Sequence, residues 1–203
     1  AKKAANNAAR KAKEAANNQL TEILRLHQVT NGFVKNDDGV IEEFNNPKLD
    51  ELMTVLDEIN GKAIIWATYI KNIEDIKEKI EKEYGKGSCV AMYGATSVDA
   101  RKQMCFDFQN NDKVRFFIGN PTVGGYGLTL HAASYVIYFS NNYNLEVRLQ
   151  SEDRAHRIGQ TKNVLYIDII AENTVDEKIV SALDKKLILS AKTMGDEIKT
   201  WLK

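Results

Sequence analysis

Five short runs of almost uninterrupted apolar residues limit this chain more than any other feature: 63–67, 89–92, 114–118, 135–139 and 164–170. A strand with one face in water alternates apolar with polar residues, and these runs do not. Strands buried on both faces imply a parallel sheet covered by helices. The intervening segments supply the helices. Over Ile70–Tyr84 the residues Ile70, Ile73, Ile76 and Ile80 form an inner stripe opposite a mixed Lys/Glu face. Thr96-Ser97-Val98-Asp99 resembles a capping box opening a helix that carries Ala100, Met104, Cys105 and Phe108 inward. Thr174-Val175-Asp176-Glu177 opens another, with Ile179, Leu183 and Leu187 inward. The predicted fold is α/β, a parallel sheet of about five to six strands with helices on both faces.

What precedes the first run is of two kinds. Residues 1–19 are near-repeats of Ala, Asn and Lys with no large apolar side chain, so they read as a low-complexity connector or an appended artificial segment. Residues 20–60 form a helical lead-in. Leu20, Ile23, Leu24 and His27 share one helical face, and Asn31-Gly32 and Asn36-Asp37-Asp38-Gly39 then read as a long turn. After Pro47, Leu49, Leu52, Met53, Leu56 and Ile59 follow helical spacing up to a stop at Asn60-Gly61. The sheet unit spans 61–190, and 191–203 forms a peripheral tail.

Charge and composition exclude several classes. Lys and Arg number 28 against 28 Asp and Glu, so anion binding has to be local. Cys89 and Cys105 form no metal or disulfide spacing, and three scattered histidines add none, which fits an intracellular setting. No apolar run approaches the roughly 18 residues of a membrane span, and no signal-peptide core is present.

In a parallel α/β sheet, ligands bind beyond the carboxyl ends of the strands. Two such segments stand out. After the third run, Gly124, Gly125 and Gly127 suit either a tight turn or close backbone approach to an anion; Leu130 stands where a dinucleotide fingerprint needs its third glycine. After the fourth, a helix over 145–156 would put Arg154 and Arg157 on one face. There they could converge on an anion or pair with Glu152 and Asp153. Spacing alone leaves both alternatives open.

Gln150 to Gln160 resembles the sixth motif of the Swi/Snf-type ATPases of helicase superfamily 2, Q-x-x-D-R-x-H-R-I-G-Q, at every specified position. Residues 62–68 are similar to that family's fourth motif, Tyr93-Gly94-Ala95-Thr96-Ser97 with Arg101 and Phe108 to the segment after it, and 124–136 to its fifth. The stretches 24–31 and 47–49 resemble the lead-in to its second lobe, so the likeness covers roughly residues 20–190. Tyr93 stands where the family has Asp, Asn141-Asn142 replace a pair with an acidic member, and Leu145 replaces a proline.

The resemblance implies a RecA-like C-terminal motor lobe of a DNA-dependent ATPase or helicase-like translocase. Arg154 and Arg157 would be catalytic arginine fingers for ATP held by a separate N-terminal lobe. Gly125, Gly127, Thr129 and Gln150 would lie on the nucleotide side. Gly94, Thr96 and Thr122 would face the backbone of DNA, most simply a duplex. ATP and Mg2+ would be bound mainly by the N-terminal lobe, because these 203 residues contain no G-x-x-x-x-G-K-[ST] loop. The Asp-Glu pairs beginning at Asp50, Asp57, Asp176 and Asp196 read as surface or first-turn charges and not as metal ligands. The chain alone would be nearly inactive. The alternative is a non-catalytic nucleic-acid- or protein-binding module that keeps the lobe fold, for which intact fingers would have no use.

Overall fold

The central strand, Lys62–Trp66 (β3), shows why the runs are apolar at nearly every position. Ala63 and Ile65 enter one core and Ile64 and Trp66 the other, all fully or almost fully buried. The computed structural model describes residues 20–122, 128–155 and 163–201, with side chains as far as 190. Before β3 come a helix covering 20–30 (α1), a hairpin of Phe33–Lys35 (β1) and Ile41–Glu43 (β2), and Pro47–Glu58 (α2). After it follow Ile70–Tyr84 (α3), Cys89–Met92 (β4), Val98–Asn110 (α4), Phe116–Gly119 (β5), Ala133–Tyr138 (β6), Leu145–Glu152 (α5), Leu165–Asp168 (β7) and Val175–Trp201 (α6).

The five strands of the main sheet are all parallel, in the order β4-β5-β3-β6-β7. From β3 the chain runs outward to β4, returns to β5, then crosses β3 to reach β6. The carboxyl ends of β5, β3 and β6 therefore flank the point where the winding reverses, which is where such sheets form a crevice. Leu52, Met53 and Leu56 of α2, with Ile73, Ile76 and Ile80 of α3, cover one face. Phe108 of α4, Leu130, Ala133 and Ala155 cover the other.

Several local expectations change in the folded chain. Ile70 is 51% exposed, because the inner stripe of α3 starts one turn later and Asn72 takes the first buried place. Ser97, and not Thr96, caps α4, accepting from Ala100 N; Thr96 instead turns its Oγ1 to Tyr93 N. Leu187 is exposed, since α6 has by then run past the small core of Val175, Ile179 and Leu183. Leu20, Ile23 and Leu24 are exposed as well, and only His27 of that helical face is buried. The long turn after α1 is the β1–β2 hairpin. Its base needs Gly32, at φ +84°, because Asn46 side-chain atoms sit 2.6–2.7 Å from where a Cβ would stand.

The largest departure is at Asp176, which lies in the first turn of α6 as expected but is buried and not a surface charge. It receives Lys48 Nζ at 2.7 Å and Thr30 Oγ1 at 3.0 Å, with His27 Nε2 at 3.8 Å. Tyr69 Oη lies 3.0 Å from His27 Nδ1. Asn31 ties in as well, donating to His27 O and receiving Asn46, Lys48 and Asn72. This node joins α1, α2, the start of α3 and the start of α6. A cation in the first turn of α2 opposes the helix dipole, and that was the one sequence signal that Lys48 was already engaged.

Candidate functional site

The carboxyl ends of β3, β5 and β6 are joined by short polar contacts. Thr68 N donates to Ser140 Oγ at 2.8 Å and Thr68 Oγ1 to Ser140 O at 3.3 Å. Asn120 Nδ2 donates to Thr68 O at 2.7 Å, and Asn120 Oδ1 receives the amide of Thr122 at 2.9 Å and its hydroxyl. Thr122 itself is exposed on this rim. Beside it is the turn after β4, where Arg101 of α4 donates from Nε to Thr96 O (2.9 Å) and from Nη2 to Gly94 O (3.1 Å). The exposed Gly94 and half-buried Thr96 are thus held in one turn, on the strand next to the one that leads to Thr122.

Arg154 lies just past the end of α5. The helix stops at Glu152, earlier than the expected 156, and the chain turns: Ala155 N bonds to Glu152 O, and Arg154 O accepts from Leu130 N at 3.1 Å. That tertiary bond gives the Arg154 carbonyl, which lies past the helix, its partner. Arg154 is 6% exposed. Its Nε donates to Gln150 O at 3.2 Å and its Nη2 to Pro121 O at 3.4 Å, and the guanidinium carbon lies 5.6 Å from the Trp66 ring centre. Among the described residues Nη1 has no partner and no carboxylate pairs with this cation. Burial pulls its pKa below the usual arginine value.

Thr129 is half-buried on the segment returning to β6. With Val98, Arg101, Cys105, Phe106, Gln109 and other residues of this face it lines a groove of about 710 Å³. Gln150 is exposed on α5 and donates to Glu146 Oε1. The fold therefore brings Arg154 to Gln150 and to the Pro121–Thr122 turn, and brings Gly94 to Thr96. Arg157, Gly125 and Gly127 lie outside the described residues. Among the described residues no three His, Cys, Asp or Glu side chains converge as a metal site, and no helix is long and apolar enough to cross a membrane.

Sequence reasoning missed Arg148. Its guanidinium forks onto Asp168 (Nη1–Oδ1 2.6 Å, Nη2–Oδ2 3.1 Å), donates to Asn141 Oδ1 (2.9 Å) and Glu152 Oε1 (2.5 Å), and stacks 3.5 Å over the Tyr138 ring. Burial opposes its charge, but the bonds to Asp168 and the nearby Tyr138 and Glu152 hold its pKa above the ordinary value. The available signal was Asp168, the one charge in the last apolar run.

Residues 35–159 match the family described as the helicase conserved C-terminal domain. The chain is 27% identical over 178 residues, 88% of its length, to the ATP-dependent helicase fft2 of Schizosaccharomyces pombe, of which it covers 14%. Two solved structures share the fold. One is the C-terminal part of the Fun30 ATPase domain (29% identity, TM-score 0.63, 68% of this chain and 46% of that one). The other is the Sulfolobus solfataricus SWI2/SNF2 ATPase core in complex with dsDNA (28% identity, TM-score 0.64, 84% of this chain and 36% of that one). The chain spans about a tenth of the length of the curated relatives it matches.

Proposed function

This chain belongs to the helicase conserved C-terminal domain family, in its Swi/Snf-type branch, and from that premise we propose that it is the second motor lobe of a DNA-dependent ATPase. In this reading 61–190 is the lobe proper, 20–60 its lead-in, 1–19 a connector and 191–203 a peripheral tail. Arg154 and Arg157 act as fingers on ATP held, with Mg2+, mainly by an N-terminal lobe. Gly125, Gly127, Thr129 and Gln150 line the nucleotide side of the interlobe cleft. Gly94, Thr96 and Thr122 hold backbone phosphates of duplex DNA through amides and hydroxyls, contacts that carry no sequence information.

One observation supports this reading above the rest. Arg154 is a buried cation at the crevice end of the sheet, with neither a carboxylate nor a partner for Nη1 among the described residues. A buried unpaired charge is costly, and an incoming phosphate oxygen supplies what the site lacks. Lobe closure would bring the guanidiniums against the γ-phosphate, where they stabilise the charge that develops in the transition state. Fingers of this kind are worth roughly 10³–10⁵ in rate, or about 4–7 kcal/mol of barrier. ATP binding clamps the lobes and hydrolysis reopens them, so that each lobe in turn grips the DNA backbone. Without the phosphate-binding loop of the other lobe, these residues alone turn over almost no ATP.

The test is steady-state ATP hydrolysis by the protein carrying both lobes, wild type against Arg157→Ala, with and without duplex DNA. The expected result is DNA-stimulated turnover that falls at least about a hundredfold in the variant. Turnover indifferent to both DNA and the substitution overturns the motor reading in favour of a binding module.

A further inference from the structure

Helix α5 carries Gln150 and leads directly into Arg154, yet it has almost no apolar hold on the sheet. Its one buried residue is Ser151, while Leu149 is exposed and Leu145 packs toward α6 and not toward the sheet. Polar contacts replace the missing apolar face. Ser151 Oγ donates to Arg148 O at 2.7 Å and lies 2.6 Å from Tyr138 Oη, which leaves the tyrosine to donate. The Tyr138 ring in turn supports the Arg148 guanidinium. Arg148 reaches four acceptor oxygens on three separate segments: Glu152 on its own helix, Asn141 in the β6–α5 loop, and both oxygens of Asp168 at the end of β7.

We infer that Arg148 is a positioning residue for ATP hydrolysis: by clamping α5 to the ends of β6 and β7 it sets the place from which Arg154 and the residues after it reach the nucleotide. The inference rests on the finger reading above. The hydrophobic effect itself has no direction, and α5 brings little interdigitating apolar surface that could fix its angle. A planar fork on a carboxylate fixes distance and angle together. Arg154 begins two residues after the end of α5, so a small rotation of the helix displaces its guanidinium directly. A misplacement of about 1 Å can cost on the order of a hundredfold in rate. Four of the five N–H donors of the Arg148 guanidinium are directed at Asp168, Asn141 and Glu152, so its part is to hold the helix.

The experiment uses the protein with both lobes and measures kcat, KM for ATP, duplex-DNA affinity and thermal melting for Arg148→Lys, Asp168→Asn, the double variant and Arg154→Ala. Arg148→Lys keeps the charge and loses the fork. It is expected to lower kcat at least about tenfold while moving KM and DNA affinity by less than about twofold, the pattern of an interaction felt only in the transition state. The double variant should be no worse than the poorer single, since the two side chains act as one unit. Unchanged kcat in Arg148→Lys, with Arg154→Ala inactive, overturns the positioning role and leaves the fingers standing. A kcat loss that tracks a lowered melting temperature and vanishes well below it assigns Arg148 to stability and also overturns the role. Normal turnover in Arg154→Ala removes the finger reading and this inference together.

Discussion

Helices α3 and α5 are held to the same sheet by opposite means. α3 presses Ile73, Ile76 and Ile80, all fully buried, onto a core shared with α2 and four strands, β3 to β6. α5 buries a serine and is fastened by Arg148, Tyr138 and Asp168. The Lys48–Asp176 node fastens α1, α2 and α6 in the same polar manner. Apolar burial is large and grows with the area removed from water, so it suits a scaffold. Buried ionic contacts give little net stability but are directional and intolerant of losing one partner, so they suit elements whose orientation matters.

Four measurements would break or sharpen this contrast. The largest effect is expected at the node: Lys48→Met leaves Asp176 buried without its cation and should cost about 3–5 kcal/mol of unfolding free energy in urea. Lys48→Met combined with Asp176→Leu should recover most of that loss, because two matched apolar groups replace a buried pair at little net cost. A double variant as unstable as the single would mean that the node contributes packing and not charge pairing.

On the apolar side, Ile76→Ala should cost about 2–5 kcal/mol through lost burial and the cavity left behind. Turnover per folded molecule should stay near normal in the two-lobe protein. A fall in kcat beyond the loss of folded protein would show that the scaffold face also sets geometry.

The third effect depends on pH. His27 faces Asp176 of α6, Lys48 of α2 and Tyr69 before α3, and burial lowers its pKa to about 4, with Asp176 raising it and Lys48 lowering it in smaller measure. The unfolded chain titrates near 6.5. The native state therefore holds the neutral ring, and its full stability is present above about pH 6.5. It weakens as pH falls toward 4, at about 1.4 kcal/mol per pH unit, to a total of about 3 kcal/mol. Urea unfolding from pH 7.5 to 4.5 should show this slope in wild type and lose most of it in His27→Gln. Equal slopes in both would assign the acid sensitivity to other groups.

The smallest effect is expected where a polar contact is exposed. Lys79 of α3 pairs with Asp50 of α2, and both side chains are well open to solvent. Lys79→Ala should change stability by less than about 1 kcal/mol, and less still at high salt. A larger loss would mean that polar fastening matters on this face as well, and the contrast would fail.

Much of the fold was legible in the sequence because burial leaves a local trace. The five runs became the five parallel strands, and the helix over 70–84 and the strand over 89–92 match the expected bounds. Misses came where a tertiary contact overrode a local pattern. α5 gives way to a turn after Glu152, where Ala155 N bonds to Glu152 O and Leu130 N ties down the carbonyl of Arg154, and Leu187 is exposed because the core under α6 ends before it. For the candidate site, the motif named Arg154 and Gln150 but said nothing of Arg148, which is engaged by residues from β6, the loop after it and β7.

By itself, then, the sequence determined the class of fold, the order along the chain of the strands of the main sheet and the segment that bears the arginine motif. All three follow from periodicity and local chemistry, which need no knowledge of distant partners. Only the tertiary structure decided which charges are buried and whom they meet: Lys48 with Asp176 across 128 residues, Arg148 with Asp168 across 20, and Arg154 with no carboxylate among the described residues. A charged side chain carries its sign in the sequence, but the energy of that charge depends on solvent exclusion and on the geometry of its partner, and both are set by how the chain is folded around it.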